Sequence, residues 1–399
     1  MRPNHAKMKV NNRIHLCLAK MSPDGAEQRY IQEAFDTNWV APLGSNVDAF
    51  EKALEDYLNE NENDNENEKQ QKRHVAALSS CTAAIHVALM LLDVKTGDEV
   101  ICQSFSFCAS ANPVVYCGAK PIFVDSDEET WNMSSELLEE AIKDRIAKTG
   151  KKPKAIIVVD LYGMPAQWDA INAIAKRYGI PVIEDAANAL GSTYKGQPCG
   201  TFGDIATLSF NGNKMITTSG GGAIVCKDLE TKQKAIFLSS QAKEPYLHYE
   251  HETIGYNYRM SNISAGIGRG QMTVLEDHIK HHKHVHRLYQ ELLENMMVHD
   301  NPSNDCDSNF WLTTVLLGGK LKLENVEQVE SFCKALDQQG IEARPLWKPM
   351  HLQPVFKNAP AYVNGVSEKL YEKGICLPSG PWVSNEDVRY IVETTLAGF

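Results

Sequence analysis

No C-x-x-C pair occurs among the ten cysteines of this 399-residue chain. That absence argues against a zinc ribbon, a thioredoxin-like site or a dense disulfide framework, and the cysteines read as reduced thiols. There is no surplus of positive charge: 40 Lys plus Arg stand against 51 Asp plus Glu, a net charge of -11. General binding to nucleic acid or to an anionic membrane is therefore not expected, and an anionic ligand would need a local pocket. No segment approaches the apolar length of a membrane span, and the polar, basic start "MRPNHAKMKVNNRIHLCLAKM" has no signal-peptide core. The expectation is a cytoplasmic chain. Neither G-x-x-x-x-G-K-[ST] nor G-x-G-x-x-G after a first strand is found, which weighs against nucleotide hydrolysis and nicotinamide chemistry. Internal repeats are not evident.

What is present describes an ordinary globular protein, 43% hydrophobic and 23% charged. "GAEQRYIQEAFDTNW" and "VDAFEKALEDYL" carry apolar residues at helical spacing, joined by the turn-like "VAPLGSN". The stretch Asn59 to Lys72 is polar, acidic and without periodicity, and reads as an exposed loop. From His74 onward short apolar strands alternate with helices, as in "KAIIVVDLYG", "WDAINAIAKRYG" and "IPVIEDAA". Continuous Val/Ile runs suit strands covered on both faces, so the pattern predicts an α/β domain with a largely parallel sheet. A helix-rich stretch then leads to a smaller α+β region containing "NFWLTTVLL", "VESFCKALDQQGI" and "SNEDVRYIVETTLAGF". The expected division is a large domain over 1–285 and a small one over 286–399.

The stretch "SFNGNKMITTSGGGAIV" sets Lys214 in a polar turn between an apolar stretch and Gly220 to Gly222, where close backbone approach is the simplest use of glycine. Parallel α/β sheets bind ligands at the carboxyl ends of their strands. Polar residues fall at such ends here: Glu184 and Asp185 in "VIEDAA", Ser80 to Ala83 in "AALSSCTAA", and Ser209 just before Lys214. Pyridoxal phosphate catalysis uses all of them together. It needs a lysine for its Schiff base, an acid for the pyridine nitrogen, donors for the phosphate and a flat surface against the ring. Asp185 suits the nitrogen, the helix start at "SCTAA" and the Ser209 hydroxyl suit the phosphate, Phe107 suits the ring face, and Asn188 is placed for the phenolic oxygen.

The order of these motifs, with "NWVAPLGSNVDAFEKAL", "LYGMPAQWDAI", "HYEHETIGYNYRMSNISAGIG" and "RPLWKPMHLQPVF", resembles the nucleotide-sugar aminotransferases, a family of fold-type I pyridoxal phosphate enzymes. The resemblance covers nearly the whole chain. It implies a mostly parallel seven-stranded sheet in the large domain and pyridoxal 5′-phosphate as cofactor, carried by Lys214. It further implies Asp185 at the ring nitrogen, Thr82, Ala83 and Ser209 at the phosphate, and Phe107 at the ring face. Asn257 in "GYNYR" matches a residue that such enzymes lend to the neighbouring subunit, which implies a homodimer with shared sites. Asn188 stands where the family often has Gln, Glu or His, and Cys81 stands where it more usually has Gly or Ala.

The resemblance also leads for the substrate. "STY", "HYEHETIGYNYRMSN" and "RPLWKPMHLQP" look most like enzymes that move an amino group from L-glutamate to C4 of a UDP-linked 4-keto-6-deoxy-N-acetylhexosamine, on the route to bacillosamine-type sugars. Arg259, Arg344 and Lys348 are the candidate cations for the pyrophosphate, each alternatively a structural ion pair. Trp39 and His351 are placed near the sugar nucleotide. A C3-keto sugar is the alternative substrate, and a regulatory protein keeping the fold without turnover is the alternative class. The run "HIKHHKHVH", His278 to His286, spaces histidines four apart but has no completing Cys or carboxylate pattern, and reads as a solvated helix face rather than a metal site.

Overall fold

A computed structural model describes residues 13–60, 72–294, 296–318, 321, 323 and 325–397. Most of the acidic loop expected at 59–72 lies outside the described residues. In chain order the strands are β1 (His74–Leu78), β2 (Glu99–Gln103), β3 (Lys120–Val124), β4 (Ala155–Val159), β5 (Val182–Asp185), β6 (Thr193–Tyr194), β7 (Gln197–Pro198), β8 (Ile205–Ser209), β9 (Gly222–Cys226), β10 (Met297–Val298), β11 (Cys306–Asp307), β12 (Thr313–Leu316), β13 (Arg344–Pro345), β14 (Ala361–Tyr362) and β15 (Gly374–Leu377). Eight of them form the main sheet in the order β1-β9-β8-β5-β4-β2-β3-β14. From β8 to β14 every pairing is parallel, whereas β9 runs antiparallel to both β8 and β1. The resemblance implies seven strands; the two-residue β14, from the C-terminal part of the chain, adds an eighth at the edge of β3.

The central strands are apolar on both faces because both are covered. Along β4 the side chains alternate: Ile156 and Val158 pack with Trp168, Ile171, Leu138 and Ile142, while Ile157 packs with Ile85, Ala88 and Ile183 on the opposite face. Apart from Ile183 on the neighbouring β5, those partners lie on α3 (Cys81–Leu91), α5 (Ser135–Thr149) and α6 (Trp168–Tyr178). The first two helices, Ala26–Asp36 and Ser45–Asn59, appear where the apolar spacing predicts them. The first packs so closely on the helix Asn262–Met272 that a Cβ on Gly270 would stand 2.5 Å from the Glu27 nitrogen, which explains a glycine inside a helix.

The second core surrounds the sheet β10-β12-β15-β13 and collects Leu288, Tyr289, Val315, Leu336, Ile375 and Ile391, together with Ile14 from the beginning of the chain. Helix α9 (Leu275–Leu292) joins the two cores without a break at residue 285, giving Leu275 and Ile279 to the first and Val285 to the second.

One sequence reading is corrected by α9. Three of its five histidines are not on a solvated face: His278, His282 and His286 are buried, because a spacing of four returns each to the stripe that carries Ile279 and Tyr289, while His284 is exposed. His278 Nδ1 lies 3.1 Å from the Met215 carbonyl oxygen and His282 Nδ1 lies 3.2 Å from that of Phe310. Burial pushes all three imidazoles down, His282 to about 3, so they are neutral, and His278 and His282 donate these hydrogen bonds.

Candidate active site

Strands β8 and β9 pair antiparallel up to Ser209↔Gly222, so residues 210–221 must double back between them. The Phe210 amide donates to Gly221 O at 2.9 Å, the Thr218 amide to Phe210 O at 2.9 Å, and within the loop the Lys214 amide donates to Asn211 O at 3.1 Å. Because β8 runs parallel to β5 with Thr207 opposite Asp185, Lys214 and Asp185 emerge at the same carboxyl edge of the sheet. Gly222 is required by the helix beside it: a Cβ there would stand 2.2 Å from the Cys81 nitrogen, at the start of α3.

The two groups line one cavity of about 700 Å³, with Thr82, Phe107, Asn188, Ser209 and Arg344. Lys214 Nζ donates to Asn188 Oδ1 at 2.6 Å and lies 4.0 Å from the centroid of the Trp311 ring. Burial pushes its ammonium down to about 8, with the Asp185 carboxylate the largest opposing influence. Asp185 Oδ2 accepts the Ser110 hydroxyl at 2.6 Å and Oδ1 accepts the Ala187 amide at 3.1 Å. Burial pushes this carboxyl up, and the Ser110 hydroxyl, the Ala187 amide and Lys214 pull it back in that order. Phe107 stands open to solvent at 56% exposure, its ring 5.6 Å from that of Trp347.

At the start of α3 the Ser80 hydroxyl caps the helix by accepting the Ala83 amide at 3.0 Å. The expected Ala83 amide is thus already engaged, and the helix-opening amides of Cys81 and Thr82, at the cavity wall, are the ones without an intrahelical acceptor. Of the three expected cations only Arg344 reaches the cavity, its guanidinium 3.0 Å from Glu342 Oε1. Arg259 is a structural ion pair, donating to Glu51 Oε1 at 2.8 Å and to Ala77 O at 3.0 Å. Lys348 is half-buried and outside the cavity lining. His351 is held between the Ser104 hydroxyl at 2.6 Å and Glu368 Oε1 at 3.0 Å, and Trp39 sits apart, its carbonyl accepting from Asn262 Nδ2. Asn257 is exposed and bridges Ser240, also outside the cavity.

Ser110, Trp311 and Trp347 belong to the site and are missed by sequence reasoning. A serine before a short helix reads as a cap, and the two tryptophans lie more than ninety residues from Lys214 along the chain, so no spacing connects them to it.

A fold of this topology with a half-buried lysine and a strand-end carboxylate lining one cavity defines a pyridoxal phosphate-dependent transferase. Residues 22–396 match the DegT/DnrJ/EryC1/StrS aminotransferase family, and the chain belongs to it. It is 44% identical over 97% of its length, and 96% of the relative's, to EpsN of Bacillus subtilis (strain 168), assigned to the pyridoxal phosphate-dependent aminotransferases. It is 36% identical to GDP-perosamine synthase of Escherichia coli O157:H7, covering 93% and 94% of the two chains. A third relative, at 32% over 82% of this chain and 85% of its own, is the UDP-N-acetyl-3-dehydro-alpha-D-glucosamine 3-aminotransferase of Acidithiobacillus ferrooxidans. The crystal structure of a DegT/DnrJ/EryC1/StrS aminotransferase from Brucella abortus superposes with a TM-score of 0.83 at 29% identity, over 94% and 95% of the chains. The protein is a pyridoxal phosphate-dependent nucleotide-sugar aminotransferase.

The residues fit the cofactor by the chemistry of their donor set. One cavity offers an amine, a carboxylate, the Thr82 and Ser209 hydroxyls beside a helix N-terminus, and an open aromatic ring.

Proposed function

We propose that the enzyme transfers the amino group of L-glutamate to C4 of a UDP-linked 4-keto-6-deoxy-N-acetylhexosamine. The products are 2-oxoglutarate and UDP-4-amino-4,6-dideoxy-N-acetylglucosamine, a precursor of bacillosamine-type polysaccharide sugars. The reading rests on Lys214 and Asp185 sharing one cavity that also presents Arg344 to an incoming anion. Two kinds of relative bear on the position of the amine: perosamine carries its amine on C4, and the 3-aminotransferase supports a C3-keto sugar as the second reading.

Bound pyridoxal phosphate supplies an electron sink conjugated to the reacting carbon. With the cofactor bound, Asp185 would hold the proton of the ring nitrogen. Lys214 Nζ, with a pKa of about 8, is deprotonated in an appreciable fraction near neutral pH and takes the proton from the α-carbon of the amino donor. The same nitrogen returns a proton in the second half-reaction, when the amine is delivered to the keto-sugar. Thr82, Ser209 and the opening amides of α3 would hold the phosphate; Asn188 keeps Nζ directed into the site.

We further propose a homodimer in which Asn257 completes the neighbour's phosphate site. Asn257 is exposed and outside its own cavity lining, and the exposed Phe35, Val40, Leu43 and Tyr116 offer apolar surface for a second copy. Ten free thiols suit a reducing compartment, the cytoplasm. The test mixes purified protein with L-glutamate and UDP-linked 4-keto and 3-keto sugars and locates the new amine by NMR. Amination at C4 is expected; amination at C3 alone overturns the substrate assignment.

A further inference from the structure

We propose that Trp311 is a positioning residue for Lys214, and that the buried histidines of α9 hold the turn that delivers it. The indole face lies 4.0 Å from Nζ, and its Nε1–H donates to the carbonyl of Asn213, the residue before the lysine, at 2.6 Å. One side chain thereby fixes both the turn and the ammonium it carries. Trp311 itself is 2% exposed.

The turn that presents it is strained and heavily secured. Phe310 has φ of 47°, a left-handed conformation unfavourable for a bulky side chain. The Phe310 amide donates to Ser308 Oγ at 3.0 Å, and the Trp311 amide to Asn309 Oδ1 at 2.8 Å. Asn309 Nδ2 reaches the carbonyls of Asn188 and Leu190, both at 2.9 Å, so the turn is tied to the residue that accepts from Lys214 Nζ. From α9, His286 stacks on the Phe310 ring at 3.6 Å with 6° between the planes, and His282 donates to the Phe310 carbonyl. Strain of this kind persists only where the surroundings over-determine it, and it clusters at functional sites.

The chemical consequence follows from the π face. Nζ has Asn188 on one side and the indole on another, and Asp185 from β5, Cys81 from α3 and Cys17 from the N-terminal segment are the other titratable groups near it. A ring face attracts the ammonium and has no such preference for the neutral amine. Trp311 therefore keeps the amine basic enough to take a carbon-bound proton, against the burial that would otherwise leave it weaker.

The test compares wild type, W311F and W311L as full-length chains freed of cofactor. The pH dependence of Lys214 acetylation by trace acetic anhydride is read by peptide mass spectrometry against an exposed lysine. W311L is expected to lower the midpoint by about one pH unit through loss of the cation–π contact, whereas W311F, which keeps a ring face, stays within about a third of that shift. Where W311L does not fold, site-specific tetrafluorotryptophan at position 311 keeps the shape and the N–H but depletes the π face, and is expected to lower the midpoint likewise. A midpoint unchanged in W311L, or in the fluorinated protein, overturns the proposal, as does an equal shift in W311F and W311L.

Discussion

At the scale of single residues, the site is a matched pair of perturbed groups. Lys214 is made less basic by the same burial that makes Asp185 less acidic, and each is the other's partial remedy. The Ser110 hydroxyl is the largest single influence holding Asp185 down. S110A removes it, so the Asp185 pKa rises and the acid limb of the pH–rate profile moves to higher pH, with kcat/KM at neutral pH lower by about tenfold for one hydrogen bond to a charged group. A pH–rate profile superimposable on that of wild type would show that the hydroxyl is incidental. K214A removes the group that carries protons in both half-reactions and is expected to lower kcat by at least about a thousandfold in a glutamate-dependent assay, while circular dichroism stays that of wild type.

Elements then explain why these residues meet. The antiparallel return of β9 creates the Lys214 loop, and Gly222 at its end allows α3 to begin against the sheet. In G222A the new methyl meets backbone atoms of Ser80 and Cys81, which cannot swing aside as a flexible side chain would. The expected result is a loss of about 2–3 kcal/mol in urea unfolding together with weaker cofactor retention. Helix α9 makes a different prediction, about pH. The folded pKa of His282, about 3, lies below its ordinary 6.5. As pH falls through 6.5 the unfolded chain takes up a proton that the folded chain refuses, so stability is lost between about pH 6.5 and 3 at about 1.4 kcal/mol per pH unit. In H282N, whose amide can still donate to the Phe310 carbonyl, the dependence of unfolding free energy on pH flattens by that amount. An unchanged slope would mean that His282 is protonated in the fold.

The whole molecule shows what a sequence can and cannot disclose. Strand runs such as "AIIVV" and the Ser80, Asp185, Ser209 and Lys214 positions are legible because burial on two faces and strand-end chemistry leave local marks. Ser110, Trp311 and Trp347 reach the cavity through tertiary contacts alone. The same limit explains the errors. Arg259 reads equally as a pyrophosphate cation or a structural ion pair until Glu51, more than two hundred residues earlier, is placed against it. The α9 histidines read as solvated because their partners, the carbonyls of Met215 and Phe310, carry no side-chain signature. At this scale the proposed dimer has its own test. K214A and N257A, each inactive alone, should recover activity when co-expressed and mixed, because one site of the mixed dimer then has both residues; no recovery in verified mixed dimers would place Asn257 outside the neighbour's site.

The most direct measurement concerns the lysine itself. Purified protein saturated with pyridoxal phosphate is reduced with borohydride, digested, and searched by mass spectrometry for the pyridoxyl-bearing peptide. The modification is expected on Lys214, stoichiometrically, with loss of the visible absorbance. Stoichiometric labelling of another lysine, or none on Lys214, would contradict the account.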